Sequence, residues 1–301
     1  MKQLLTGNEA IARGFFEAGG CFASAYPGTP STEILENLAK YKDTLYSEWA
    51  PNEKVALESA YGASMAGARA IATMKHVGLN VAADPLFTAV YCGVGAGLVI
   101  VCADDPGMHS SQNEQDNRHY AKAAKLPMLE PADSAECRDF VAEAYRISEA
   151  FDTPVLIRVT TRICHSKSLV DTGERKEVQI KKYERNITKY VATPANATKL
   201  HPALEQRLLD LQKYSNESPL NFEEMNGTDI GVVCASVCRQ YAKEAFGDDA
   251  SYFNVGMSWP MPIERIRAFA EKVKKLDFRP SFKILDKIAA VPGESNSGAR
   301  P

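Results

Sequence analysis

Short apolar runs alternate with amphipathic stretches along the first half of the chain. The runs CFASAY (21–26) and GLVIVCA (97–103) are typical of strands that are buried on both faces of a parallel sheet. Segments 6–18 and 134–151 instead repeat apolar residues at helical spacing. The alternation from residue 1 to residue 165 predicts a doubly wound, mainly parallel α/β sheet with helices on both faces.

Local signals predict where some of these elements begin and end. Asn8 and Ser31 each stand at the start of a helical pattern and can cap the helix that follows. The segment IATMKHV (71–77) is predicted to be a strand, and residues 80–94 are predicted to form the next helix.

The second half of the chain has a different organisation. Residues 166–190 are charged and show no clean period, so they are predicted to form a linker. An amphipathic helix at 201–218 and two further strand–helix pairs predict a second, smaller α/β domain over 191–276. Residues 277–301 break this pattern, and we expect them to form a divergent, partly disordered tail.

Composition excludes several classes of partner. The 301 residues include 35 basic and 38 acidic side chains, so no basic excess points to nucleic acid or to a membrane surface. The longest apolar run, residues 93–103, is too short to span a bilayer. The seven cysteines are odd in number and scattered through apolar runs, which is typical of reduced thiols and predicts a cytoplasmic protein.

The common motifs for metals and nucleotides do not occur in the sequence. No cysteines have iron–sulfur spacing and no histidines have metal-ligand spacing, so no metal site is predicted in this chain. GVGAG (93–97) precedes a strand instead of opening a helix after one, which argues against a dinucleotide site.

The turn YPGTPSTEI (26–34) has the composition of a ligand-binding turn. Its two prolines restrict the backbone, while Gly28 allows another group to approach closely and Thr29 offers a hydroxyl. The turn follows a predicted strand, and ligands of doubly wound sheets bind at the carboxyl ends of strands. We expect loops 26–32, 48–53 and 103–119 to converge on one crevice there.

Four segments carry a resemblance to a known family. YPGTPSTEI (26–34), the segment from Asn52 to Asn80 that ends in MKHVGLN, AADP (82–85) and the segment 104–131 keep the order and spacing of indolepyruvate:ferredoxin oxidoreductase α subunits. These belong to the wider 2-oxoacid:ferredoxin oxidoreductases, which use thiamine diphosphate. The resemblance implies that residues 1–165 form a pyrimidine-binding domain. It also implies oxidative decarboxylation of an aryl 2-oxo acid to acyl-CoA, with electrons passing to ferredoxin.

The resemblance implies a glutamate that contacts N1′ of the cofactor's aminopyrimidine. The family pattern places it nine residues before a glycine, which selects Glu53 if the glycine is Gly62 and Glu58 if it is Gly67. Glu53 is the predicted catalytic residue because the sequence around Gly62 matches the family and because Glu53 lies in the first turn of its helix. The offset alone leaves Glu58 open.

The same resemblance assigns roles to two further places. It implies that Pro27, Gly28 and Thr29 approach the cofactor, with Thr29 also near the substrate. It implies that Arg118, which follows Gln115 and Asp116, binds the substrate carboxylate; a guanidinium suits a carboxylate because it can donate two parallel hydrogen bonds.

Relatives also contain parts that this sequence does not. These are a diphosphate-binding domain that holds Mg²⁺ and cysteine-rich motifs that hold [4Fe–4S] clusters, so we expect the chain to be truncated and inactive when isolated. The implied partners are the β subunit of the same enzyme in a hetero-oligomer, ferredoxin, coenzyme A and the aryl 2-oxo acid. Two alternatives remain open: the α chain of a pyruvate or other 2-oxoacid:ferredoxin oxidoreductase, and a non-catalytic remnant that acts as a subunit-binding module.

Overall fold

The structure, a computed structural model, describes residues 1–279 as three sheets and the helices that cover them. The strands are β1 (Lys2–Thr6), β2 (Phe22–Ala25), β3 (Tyr46–Trp49), β4 (Ala70–Lys75), β5 (Leu98–Asp104), β6 (Met128–Leu129), β7 (Val155–Thr160), β8 (Lys167–Asp171), β9 (Asn221–Glu224), β10 (Ile230–Ala235), β11 (Ser251–Val255), β12 (Met257–Trp259) and β13 (Lys275–Arg279). The helices are α1 (Gly7–Glu17), α2 (Thr32–Leu38), α3 (Glu53–Met65), α4 (His76–Val81), α5 (Ala83–Cys92), α6 (Arg118–Ala124), α7 (Ser134–Phe151), α8 (Thr161–His165), α9 (Ile187–Tyr190), α10 (Pro194–Glu217), α11 (Val237–Phe246) and α12 (Ile263–Ala270).

The largest sheet has seven strands in the order β12–β6–β7–β5–β4–β2–β3, and all but β12 are parallel. Every residue of β5 is buried, as its continuous apolar sequence predicts. One face of the sheet packs on a core that includes α1, α2 and α7, and the other on a core that includes α3, α5 and α6. The predicted fold class, a doubly wound parallel sheet followed by a smaller α/β unit, is confirmed.

The strand order reverses between β2 and β4. From β2 the chain moves outward to β3, then returns to place β4 on the other side of β2 and continues to β5. The helix after β2 and the helices after β4 therefore lie on opposite faces of the sheet. This divergence opens a crevice outside the carboxyl ends of β2 and β4, where such sheets bind ligands.

The second unit is a four-stranded sheet in the order β13–β10–β11–β9, in which only β9 is antiparallel. It is joined to the first unit in two ways. Strand β12 pairs antiparallel with β6 of the first sheet, and helix α10 places Leu204 and Leu211 in the two cores of the first unit.

The domain boundaries from the sequence stay a prediction. Within the expected linker 166–190, strand β8 pairs antiparallel with β1 at the start of the chain. Strand β13 continues through Arg279, and residues 280–301 of the expected tail lie outside the described residues. In the described part of the chain, no helix is both long and apolar enough to cross a bilayer.

Three local predictions were wrong. Helix α1 is capped by Thr6, whose hydroxyl accepts from the Glu9 amide at 3.1 Å while the Glu9 carboxylate accepts from the Thr6 amide at 2.8 Å. Asn8 is the buried second residue of α1, and Ser31 makes no side-chain cap to α2. His76 is the first residue of helix α4 and does not extend β4, because the chain leaves the sheet directly after Lys75.

Candidate cofactor and substrate site

The turn between β2 and α2 is held rigidly from within. The Gly28 carbonyl accepts hydrogen bonds from both the amide and the hydroxyl of Ser31 at 2.9 Å, and the Gly28 amide donates to the Thr32 hydroxyl at 2.9 Å. The Pro30 carbonyl accepts a hydrogen bond from the side-chain amide of the buried Asn8 at 2.8 Å. The Thr29–Pro30 peptide is cis. With these groups fixed, Thr29 is left exposed at the crevice.

Glu53 is a buried carboxylate in the first turn of α3. The side chain of Asn52 caps this helix by accepting from the Val55 amide at 3.0 Å, which leaves Glu53 as the first helical residue. Glu53 is 8% exposed, and within residues 1–279 the structure records no hydrogen bond or ion pair for its carboxylate. A helix N-terminus stabilises such an anion, so the group is available to a ligand that can donate a proton or hydrogen bond.

Glu58, the alternative from the sequence, occupies a different environment. Its side chain is 49% exposed and lies 3.9 Å from Lys54, with which it forms an ion pair on the outer face of α3. Such pairs contribute little energy because solvent screens them. The geometry therefore favours Glu53 over Glu58 as the carboxylate of the site.

Gly78 of α4 allows the Glu53 side chain to lie where it does. A Cβ added to Gly78 would fall 2.6 Å from both Cγ and Oε1 of Glu53, well inside van der Waals contact. Any other residue at 78 would have to displace the carboxylate. The end of β4 and the start of α4 thus form one wall against which Glu53 packs.

The loop after β5 closes over the same strand end. Lys75 Nζ donates to the Ser110 carbonyl at 3.1 Å, and His76 Nε2 lies 3.0 Å from the Asn113 carbonyl, to which it donates. These contacts tie residues 110–113 to the end of β4.

Asp105 anchors that loop at its base. Its carboxylate accepts from the Ser110 amide at 2.8 Å and from the hydroxyls of Ser111 and Thr161 at 2.7 Å. Burial alone would raise the pKa of Asp105, but these hydrogen bonds outweigh it and hold the pKa below its usual value. The carboxylate is therefore ionised across the physiological range, and its bonds keep the loop in place.

Arg118 begins α6 with its guanidinium already paired. Its Nε and Nη2 donate to the two carboxylate oxygens of Asp116 at 2.7 and 2.6 Å, and the residue is 5% exposed. Burial opposes ionisation of Asp116, but Arg118 and Arg158 together lower its pKa. Arg118 lines a cavity of about 680 Å³ together with residues at the end of β7 and at the start of α11.

Arg158 of β7 ties this region into the sheet. It is buried between Asp104 and Glu130, to which Nε and Nη1 donate at 2.7 and 2.5 Å. Burial alone would lower the pKa of Arg158, but the two carboxylates raise it above its ordinary value. Burial raises the pKa of Asp104, which Arg158 opposes. These ion pairs fix the carboxyl ends of three neighbouring strands.

The predicted site residues thus fall into two groups. Gly28 lies against the last residue of β4, since a Cβ there would be 2.9 Å from Lys75 Cδ, and Glu53 packs on Gly78 in the helix that follows β4. Arg118 pairs with Asp116 and lines the cavity beside β7. The roles given to these residues stay predictions.

Sequence reasoning missed Lys75 and Gly78. Both lie in the segment MKHVGLN, which carried part of the family resemblance. A glycine and a lysine at the predicted carboxyl end of a strand could have signalled them, but their neighbours in space, Gly28 and Glu53, are far away in sequence. Among the described residues the structure brings together no group of three or more potential metal ligands.

A family model matches most of this chain. Residues 13–225 match the model described as pyruvate flavodoxin/ferredoxin oxidoreductase, thiamine diphosphate-binding. The chain therefore belongs to this family.

Two similar curated proteins within the family are subunits of indolepyruvate oxidoreductases. The chain is 44% identical over 286 residues to indolepyruvate oxidoreductase subunit IorA of Archaeoglobus fulgidus and 41% identical over 284 residues to that of Methanothermobacter thermautotrophicus. Each match covers 91% of this chain and 46% of the relative, so the chain spans about half the length of these proteins.

A solved structure shows the same fold. The chain superposes on a 2-oxoglutarate:ferredoxin oxidoreductase from Magnetococcus marinus with a TM-score of 0.77 and 18% identity, over 96% of this chain and 60% of the other. A match of this identity speaks to the fold alone.

Proposed function

We propose that this chain is the pyrimidine-binding part of the α subunit of an indolepyruvate:ferredoxin oxidoreductase. The reaction is the oxidative decarboxylation of an aryl 2-oxo acid to its acyl-CoA, with electrons passed to ferredoxin. Identity above 40% to two indolepyruvate oxidoreductase subunits supports this choice over a 2-oxoglutarate enzyme, since 2-oxoglutarate synthase subunits are 25–27% identical over a little more than half of the chain.

The observation that carries the proposal is the state of Glu53. Glu53 is 8% exposed, lies at a helix N-terminus and has no recorded partner in residues 1–279, so its carboxylate is free to accept a hydrogen bond from a ligand. It lies beside the strand reversal between β2 and β4, where sheets of this kind bind their ligands. The residues present therefore fit the aminopyrimidine ring of thiamine diphosphate, whose thiazolium, when bound, supplies the nucleophile and stabilises the negative charge left by decarboxylation.

Glu53 would act by sharing a proton with the pyrimidine nitrogen that it faces. Its low exposure limits the access of water to that proton, and Gly78 leaves the room that the carboxylate occupies. The turn at Pro27, Gly28 and Thr29 would form the opposite wall, where the rigid backbone allows close approach and the exposed Thr29 hydroxyl can reach a substrate oxygen.

The role of Arg118 as the carboxylate-binding residue remains part of the resemblance. Its pair with Asp116 uses the Nε and Nη2 donors on one edge of the guanidinium. A substrate carboxylate that bound to that edge would have to displace or share Asp116.

The remaining chemistry belongs to partners. In this proposal the diphosphate and its Mg²⁺ are held by a diphosphate-binding domain, and the [4Fe–4S] clusters by cysteines, that lie outside this chain. Assembly with a β subunit then completes the enzyme. The chain alone is expected to bind thiamine diphosphate weakly and not to turn over, because it supplies only the pyrimidine side of the site.

The test is Glu53→Gln in the assembled oxidoreductase, with Glu58→Gln as the matched control on the same helix. We expect Glu53→Gln to lower thiamine-dependent decarboxylation of indolepyruvate by about 10²- to 10⁴-fold, the usual range for loss of a proton-transfer group. Glu58→Gln should keep activity within about twofold, since Glu58 is exposed. Equal activity of Glu53→Gln and the wild-type enzyme, with assembly intact, would instead favour a non-catalytic subunit-binding module.

A further inference from the structure

A 2-oxo acid brings a carboxylate into the crevice, and a cation has to meet it there. The cations near the strand reversal are few. Lys54 is exposed and paired with Asp84 at 3.0 Å, and Arg118 is paired with Asp116. Lys75 is the last residue of β4, directly at the point where the crevice opens between β2 and β4.

The stem of Lys75 lies against the turn that forms the crevice wall. A Cβ at Gly28 would be 2.9 Å from Lys75 Cδ and 3.1 Å from Cγ, so the absence of a side chain at 28 makes room for the lysine. This is a packing reason for the glycine that the turn's own hydrogen bonds do not give. The exposed Thr29 is the next residue in sequence after this contact.

The ammonium group of Lys75 can donate further hydrogen bonds. An ammonium has three donors, and the structure records one polar partner for Nζ among residues 1–279, the Ser110 carbonyl at 3.1 Å. No carboxylate of the described residues lies within ion-pair distance of it. A neutral carbonyl positions the group without neutralising it, which leaves the charge for an incoming anion.

Arg118 offers the opposite arrangement. Its two donors on one edge are satisfied by Asp116, and that carboxylate compensates its charge. A second carboxylate on the same guanidinium would face repulsion from Asp116. Charge and geometry therefore favour Lys75 over Arg118 as the residue that binds the substrate carboxylate.

We propose that Lys75 is the substrate-binding residue that pairs with the carboxylate of the aryl 2-oxo acid. This rests on the proposed function, since it assumes that the crevice holds a 2-oxo acid. The end of β4 then presents a cation at Lys75 and, one turn into α4 at Gly78, the contact with Glu53. One strand end thereby positions both the acid end of the substrate and the residue that acts on the cofactor.

The experiment compares an acid with its uncharged analogue. Indole-3-propionate and its primary amide differ only in the group that Lys75 would bind. Calorimetry measures their dissociation constants for the assembled oxidoreductase, in the wild type and in Lys75→Met, Lys75→Arg and the control Lys54→Met. Lys54→Met removes the same charge from the neighbouring helix, at a lysine that already has a carboxylate partner.

We expect Lys75→Met to weaken binding of the acid by about 10- to 100-fold, the range for a hydrogen bond between charged groups, and to leave the amide within about twofold. Lys75→Arg should recover part of the acid's affinity, and Lys54→Met should change neither probe. In turnover, Lys75→Met should raise KM for indolepyruvate more than it lowers kcat. A purely structural role would weaken acid and amide alike.

Three results would overturn the proposal: equal binding of acid and amide by the wild type, an unchanged acid affinity in Lys75→Met, or loss of the acid's advantage in Arg118→Met only. The binding measurement needs no turnover. It therefore judges Lys75 even where the wild type shows no thiamine-dependent decarboxylation, which would count against the proposed function itself.

Discussion

The two parallel sheets of this molecule end their strands in the same way but use those ends differently. In the first sheet, β2 and β4 end in turns that face a crevice, with Thr29 exposed and Glu53 without a recorded partner in the described chain. In the second sheet, β10 is followed by Ser236, which is buried and donates its hydroxyl to the Pro131 carbonyl of the first unit at 3.2 Å.

The start of α11 continues this attachment. Arg239 forms ion pairs with Glu136 and Asp133 at the N-terminus of α7, and Gln240 donates to the Ala132 carbonyl at 3.3 Å. In the second sheet, the end of a strand and the helix N-terminus after it thus bind the neighbouring unit. In the first sheet, the same arrangement is left open. The pairing of each polar group, more than the fold, separates a ligand site from a docking contact.

The largest effect is expected from Gly78→Ala, which tests whether the crevice of the first sheet depends on the position of Glu53. The new Cβ would lie 2.6 Å from Glu53 Oε1, so the carboxylate must move, and a displacement of this size can cost about 100-fold in kcat/KM. The measurement is kcat/KM for indolepyruvate together with the thermal midpoint of the assembled enzyme.

The matched control is Gly62→Ala on α3, where a Cβ meets nothing within 4 Å. It should leave activity unchanged and stabilise the helix by roughly 0.5–1 kcal/mol. If Gly78→Ala is as active as Gly62→Ala, the crevice does not depend on the position of Glu53 and the contrast between the sheets loses its basis.

A smaller effect is expected at Ser236, in the second sheet. Its backbone has φ +51° and ψ −144°, a region that suits glycine, and its hydroxyl binds Pro131. Ser236→Gly and Ser236→Ala both lose the hydroxyl, but only glycine relieves the backbone. Urea unfolding should therefore find the glycine variant about 1–2 kcal/mol more stable than the alanine variant, with activity unaltered in both. Equal stabilities would show that the strain is relieved elsewhere.

The smallest expected effect is that of acid on the first sheet's loop. Because hydrogen bonds depress the pKa of Asp105 in the folded state, its contribution is fully present above the unfolded value of 3.8 and is lost as pH falls below it. Between pH 5 and 3.5 the loss should stay under about 1 kcal/mol. The thermal midpoint of the wild type should therefore fall more steeply as the pH is lowered than the midpoint of Asp105→Asn. If the two midpoints fall in parallel with pH, the hydrogen-bonded Asp105 makes no such contribution.

Much of the fold follows from sequence because its strongest patterns are local. Helix α7 spans the predicted 134–151, and β5 is the continuous apolar run that a buried parallel strand requires. Helix α4 was missed because HVGLNV has no helical period and its polar His76 is buried by the loop above it. Strands β6 and β12 are too short to leave a pattern, and only their pairing defines them.

The site was less accessible to sequence than the fold. Glu53 could be named because its family spacing and its place in a helix's first turn are both sequence features. Lys75 and Gly78 act through contacts with Gly28 and Glu53, and such contacts depend on how β2, α3 and β4 come together in space. The partner of Arg118 is only two residues away, yet nothing in the sequence distinguishes that pairing from a guanidinium left for a ligand.

The pairing of β12 with β6 sets an order of events during synthesis. Met257 lies opposite Leu129, so the edge of the first sheet beside β6 stays uncovered until the second unit has left the ribosome. An uncovered strand edge can pair with another chain, and contacts between distant segments form slowly. The second unit thus shields the first from intermolecular pairing, but only late, and a nascent chain stalled before residue 257 is the species most exposed to aggregation.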